Sequence, residues 1–165
     1  LATLSMLVLN HIRLAPVKIY AYAVSVLTGR RGKYSELSWV TDRLAVGDIA
    51  LSDNPQLARG ENVDYVLDVR HLFTEDMGLR VEKADRFADG VAMLLGAGYR
   101  VALHCYGGID RSPFIAAMIL AKHMDISLES AYNLVLRKRV IAFRHPEWIR
   151  VTEQFYDYWD VVDNS

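Results

Sequence analysis

The sequence predicts an α/β domain with a mostly parallel central sheet flanked by helices. Apolar runs at residues 63–69 and 101–103 have the length and composition of buried strands. A loop and then a segment of helical periodicity follow each run, the pattern of strands joined by crossovers rather than by tight turns. The second run ends in a glycine-bearing loop that feeds an apolar helix, so the ligand site is expected at the carboxyl end of that central strand.

Residues 1–27 are apolar but interrupted by His11, Arg13, Pro16 and Lys18. No run reaches the ~18–20 residues that a spanning helix requires, and no basic n-region or cleavage site marks a signal peptide. The segment reads as an extension packed on the domain. Membrane or partner docking through residues 1–33 is the sharper alternative, helped by Arg30, Arg31 and Lys33. Residues 28–33 form a basic, glycine-bearing connector. The expected organisation is therefore an extension over 1–38 and one domain over 39–161.

Residues 39–47 alternate like a hairpin or a pair of strands. Asp53-Asn54-Pro55 starts a short helix to about Arg59, and Gly60 ends it. After the strand at 63–69, periodicity lapses from Arg70 to Arg80, giving a polar loop. A helix over about 81–95 places Ala84, Phe87, Ala88, Val91, Leu94 and Leu95 on one face, and Gly96 and Gly98 break it. Beyond the strand at 101–103 come His104 and Cys105, the loop, then Arg111 and Ser112. Pro113 opens an apolar helix with Ser112 as its cap. Asp125 or Ser127 caps the next helix, to about Lys138, with Leu128, Ala131, Leu134 and Val135 inward. A loop over 139–145 leads to a last, aromatic helix over about 146–161.

Composition narrows the function. The 165 residues are 52% hydrophobic and 24% charged, ordinary for a globular domain with a substantial core. A net charge of −1 argues against a general nucleic-acid binder. One cysteine excludes an internal disulfide and any C-x-x-C metal or redox pair. A working thiolate points to a reducing, cytoplasmic setting. His11, His71, His123 and His145 are dispersed and lack metal-ligand spacing, so no metal or other cofactor is expected.

The stretch from His104 to Ser112 carries the chemistry. Successive N–H groups of Tyr106, Gly107, Gly108, Ile109, Asp110 and Arg111 can curl into a nest at a helix N-terminus, a cradle for a tetrahedral oxyanion. Arg111 can close that cradle with a bidentate fork. The same field favours thiolate over thiol at Cys105. A nucleophile beside a bound phosphoryl group is the layout for covalent phosphoryl transfer.

His104-Cys105-x5-Arg111-Ser112, with Gly108 inside the loop, resembles the HCxxGxxR(S/T) signature of cysteine-dependent protein tyrosine and dual-specificity phosphatases. The resemblance implies a phosphatase-like P-loop between central strand and helix, and a phosphocysteine intermediate without a metal. It gives His104 an orienting role and has Ser112 assist thiolate departure. It also implies an aspartate general acid from a loop roughly thirty residues before the cysteine, in a role worth typically ~10²–10⁴-fold. Asp76 lies 29 residues before Cys105 and is the first candidate. Glu75 is its neighbour, and Asp68 falls too early, on the strand. Asp110 competes, because Asp-Arg in the loop resembles the CxxGxDR pattern of myotubularin-like lipid phosphatases. A carboxylate there repels a dianion unless it is protonated, turned outward or paired.

Arg137, Lys138, Arg139 and Arg144 form a basic cluster, read as a solvated helix face that could also border the pocket. Gln154 reads as a surface residue, with water positioning as the alternative. The loop holds no lysine of the kind phosphoinositide phosphatases use, so a permissive pocket for phosphotyrosine, and for phosphoserine or phosphothreonine, on a phosphorylated protein substrate is expected. Tyr106 would line its floor or wall. The alternatives are a lipid or other non-protein phosphomonoesterase, and a phospho-binding pseudophosphatase.

Overall fold

The computed structural model describes residues 37–163 and, ahead of them, Ala15, Pro16, Ile19, Tyr20 and Ala23. The expected docking role of residues 1–33 thus falls largely outside the described residues.

Four short strands form one mixed sheet in the order β1-β2-β4-β3. β1 (Leu37–Trp39) and β2 (Leu44–Gly47) are an antiparallel hairpin, as their alternation predicts. β4 (Val101–His104) lies between β2 and β3 (Tyr65–Asp68) and is parallel to both. Register places Gly47 and Asp68 on either side of His104. The carboxyl ends of three strands therefore converge just before Cys105.

Period-two alternation divides the sheet's side chains between two layers. Leu44, Val46, Val101 and Leu103 face the large core, whereas Ala45 and Ala102 face a smaller cluster with Leu37 and Leu51. Leu51 belongs to α1 (Ala50–Asp53), and α2 (Pro55–Gly60) follows it. Asn54 caps α2 by accepting from the Gln56 N–H, and Pro55 occupies the first helical turn, where it sacrifices no intrahelical bond.

The large core lies under α3 (Val81–Gly96), α4 (Arg111–Met124), α5 (Leu128–Lys138) and α6 (Pro146–Asp163). Ala84, Ala88, Val91 and Leu95 of α3 are buried, with Phe87 and Leu94 partly so, which is the predicted face. Ser127 caps α5 by accepting from Ser130 N–H, while Asp125 takes the left-handed conformation that ends α4. Every residue of α4 from Ser112 to Leu120 is buried. An all-round apolar helix must occupy a core, and this one does. Among the described residues, no helix is long and apolar enough to cross a membrane.

Two expectations are corrected. The run at 63–69 yields only a half-buried edge strand, with Tyr65 exposed, because β4 rather than β3 holds the centre. The central helix starts at Arg111, so Ser112 lies inside its first turn and does not cap it. Pro113 is then third in the helix, still among positions whose N–H needs no intrahelical partner.

Phe114 anchors the packing: fully buried, it meets Tyr132 edge-on at 5.5 Å and Trp148 at 5.4 Å between ring centroids. Phe114→Ala is expected to cost about 3–5 kcal/mol in urea unfolding, through lost burial plus the cavity left behind.

Candidate active site

The loop from Cys105 to Asp110 is held from outside by its carbonyls. Tyr106 C=O accepts from Ile49 N–H at 3.0 Å, and Ile109 C=O accepts from Phe143 N–H at 3.0 Å. Asp110 C=O takes the Phe114 N–H at 3.3 Å. Gly108 C=O takes the Arg139 Nε–H at 2.6 Å. His104 Nδ1 lies 3.1 Å from Cys105 C=O, so it must carry the proton of that bond. A trans peptide points its C=O and the next N–H in opposite directions, and no bond here is cis. Carbonyls drawn outward thus turn the N–H groups of Tyr106, Gly107, Ile109 and Asp110 the other way, the arrangement an oxyanion cradle needs.

Cys105 sits at the base, 2% exposed. Its Sγ receives Gly108 N–H and the Ser112 hydroxyl, each at 3.3 Å. Ser112 Oγ also lies 3.4 Å from Gly47 C=O, so its place within α4 aims it at the sulfur rather than at a helix end.

Three arginines surround the loop, in three states. Arg139 is wholly buried, contrary to the solvated face expected of the 137–144 cluster. Besides Gly108 C=O, it donates to Val46 C=O at 3.1 Å and to Ser38 Oγ at 3.0 Å. Burial pushes its pKa down to about 10, against the opposing charges of Asp48 and Cys105, so it stays a cation at neutral pH. Arg70 clamps Asp68 at 2.6 Å while feeling the charge of Cys105. Burial alone would push the Asp68 carboxyl up, but the hydrogen bonds and charge of Arg70 outweigh it and hold the group below its ordinary range. Arg111, half-buried at the start of α4, has its fork uncommitted among the described residues. A guanidinium fork in that state can grip an oxyanion bidentately.

Asp110, the rival acid, is paired: its carboxylate meets His145 Nε2 at 2.7 Å. This answers the repulsion expected of an acid on the cradle's rim. Asp76 is exposed in a tight turn, Phe73 to Leu79, whose ends pair as an isolated bridge. The Thr74 hydroxyl donates to its carboxylate at 2.5 Å. That bond, with the turn's own N–H groups, holds its pKa below the ordinary carboxylate range. Glu75 is exposed in the same turn, and Gln154 is exposed on α6, taking a bond from Arg150. Among the described residues, no group of three or more His, Cys, Asp or Glu could hold a metal.

No established family profile matches the chain. Its sequence is 34% identical over 68 residues to Putative tyrosine phosphatase 123R of Invertebrate iridescent virus 6, covering 41% of this chain and 47% of that one. The chain thus matches about half the length of that relative. It is 25% identical over 136 residues to Dual specificity protein phosphatase 1B of Arabidopsis thaliana, covering 73% of this chain and 81% of that one. The chain is thus similar in sequence to tyrosine and dual-specificity phosphatases. The crystal structure of human DUSP28 shares the fold, with a TM-score of 0.61 at 18% identity, over 77% of this chain and 97% of that one.

Sequence reasoning missed the buried Arg139, the Arg70 clamp and the partnership of His145 with Asp110. Nothing in the local sequence sets Arg139 apart from Arg137 and Lys138, which stay exposed.

Gly108 has φ +65°, and a Cβ there would strike the Arg139 guanidinium and lie 2.5 Å from Gly47 C=O. Gly108→Ala is expected to abolish tungstate binding, read by calorimetry, and to cut phosphatase turnover by at least ~10²-fold.

Proposed function

We propose that this chain is a metal-independent protein phosphatase acting on phosphotyrosine, and on phosphoserine or phosphothreonine, through a phosphocysteine intermediate. The observation that carries the reading is Cys105 Sγ, set at the floor of an inward-turned amide loop and held by two hydrogen-bond donors. Thiolate sulfur attacks phosphorus, and the P–O bond to the substrate breaks. Asp76, protonated, gives its proton to the departing phenolate or alkoxide oxygen. Water then attacks the phosphocysteine, passing a proton to the Asp76 carboxylate as the S–P bond breaks. Ser112 donates to the departing sulfur, and inorganic phosphate leaves.

Loop amides and Arg111 hold the three equatorial oxygens, where charge must be stabilised throughout. His104 orients the loop through Cys105 C=O, and Tyr106 to Asp110 form the cradle wall. Asp110, engaged by His145, is less available than Asp76 for proton transfer. The lack of lysine in the loop supports phosphoprotein over phosphoinositide. A thiolate nucleophile supports a reducing, cytoplasmic location.

Hydrolysis of p-nitrophenyl phosphate in EDTA, lost in Cys105→Ser, is the expected result; turnover surviving that change overturns the reading. Asp76→Asn is expected to slow phosphotyrosine peptide turnover by ~10²-fold or more. If Asp110→Asn does so and Asp76→Asn is silent, the acid is Asp110. Binding of the peptide without turnover by the unaltered chain would make it a pseudophosphatase, and faster turnover of a phosphoinositide at equal concentration would make it a lipid enzyme.

The depressed Asp76 pKa gives a signed pH effect. Thr74 stabilises the charged carboxylate, so Thr74→Ala raises the carboxyl pKa and keeps the acid protonated to higher pH. The descending alkaline limb of kcat is expected to move upward in pH, measured with a phenyl phosphate substrate.

A further inference from the structure

The turn bearing Asp76 and the loop bearing Cys105 come from different parts of the chain, yet one side chain reaches both. Trp148, in the first turn of α6, is 5% exposed. Its indole N–H donates to Met77 C=O at 3.1 Å, directly beside Asp76. Its ring stacks on His145, with centroids 3.9 Å apart and planes 21° apart. His145 in turn grips Asp110, next to Arg111, at 2.7 Å. Below, the Trp148 ring meets Phe73, where the Asp76 turn begins, at 4.9 Å, and Phe114 of α4 at 5.4 Å.

Met77 has φ +68°, a conformation a β-substituted residue holds only when its surroundings fix it. The Trp148 bond is at that residue's carbonyl. It fixes the orientation of the Met77–Gly78 peptide, and so the direction from which the Asp76 carboxylate is presented. Thr74 directs the carboxylate within the turn; the indole directs the turn relative to the loop.

We propose that Trp148 is a positioning residue that places the Asp76 carboxyl over the leaving oxygen, by hanging the Met77 carbonyl from the bracket that also holds Asp110. The inference rests on Asp76 as the acid. Trp148→Phe keeps a ring for the stack and the core but removes the N–H.

A mispositioned acid harms poor leaving groups most, because p-nitrophenolate departs with little protonic help. Trp148→Phe is therefore expected to slow phenyl phosphate at least ~10-fold more than it slows p-nitrophenyl phosphate. Inhibition by vanadate, which reports an intact phosphate loop, should match the unaltered protein, as should the thermal midpoint to within a few degrees. In the Asp76→Asn background, Trp148→Phe should add no further loss on phenyl phosphate. Equal losses on both substrates, loss of vanadate inhibition, or multiplicative effects in the double variant would overturn the proposal while leaving the acid in place. A silent Asp76→Asn would instead overturn the acid assignment and this inference with it.

Discussion

A single buried cation sets the shape of the site. Arg139 leaves water entirely, and a charge so placed persists only if its donors meet acceptors with good geometry. Those acceptors are Gly108 C=O in the loop, Val46 C=O in β2 and Ser38 Oγ in β1. One guanidinium therefore joins both strands of the β1–β2 hairpin to the loop from Cys105 to Asp110. Removing one side of such a contact leaves a buried donor or carbonyl unsatisfied, at a cost of about 1–3 kcal/mol and more for the charged group. The inward N–H of Ile109 is the reverse side of that fastening, as Ile49, Phe143 and His104 turn the other amides. A carbonyl pulled outward forces the next N–H inward, and the cradle follows from peptide planarity.

The sheet supplies the other half of the geometry. Because β2 and β3 both run parallel to β4, Gly47 and Asp68 end level with His104, and the chain must leave the sheet there together. Gly47 presents its carbonyl toward the Ser112 hydroxyl, and Asp68 clamps Arg70 through its carboxylate. Strand register thus fixes which groups border the sulfur before any side chain chooses a rotamer. The buried length of α4 then carries the loop's exit into the core, so that Arg111 and Ser112 start from a rigid base.

Much of this was legible from residue order alone. The spacing from His104 to Ser112, the inward faces of α3 and α5 and the 39–47 hairpin are local patterns, and local patterns are what a sequence displays. The misreadings share a cause. Arg139 stands among Arg137, Lys138 and Arg144, and nothing local separates a cation that turns inward from neighbours that stay in water. Ser112 before Pro113 imitates a helix start, yet the loop's own curvature begins the helix earlier and redirects the hydroxyl to sulfur. Strand β3 reads as buried because its residues are apolar, whereas its edge position depends on strand order, a long-range property. His145 and Asp110 lie 35 residues apart, and only the fold brings them into contact.

Met77 shows what such long-range anchoring allows. A left-handed backbone at a residue with a long side chain carries a standing penalty of about 1–2 kcal/mol, and Gly78 is the very next residue. The chain thus places its freest residue one position after the left-handed one. Glycine at position 77 would accept the bend readily, and many other bends besides. A methionine tolerates few, so once forced there it has little else to relax into. Strain at this one position leaves the turn fewer conformations to visit, at a small cost in folding energy.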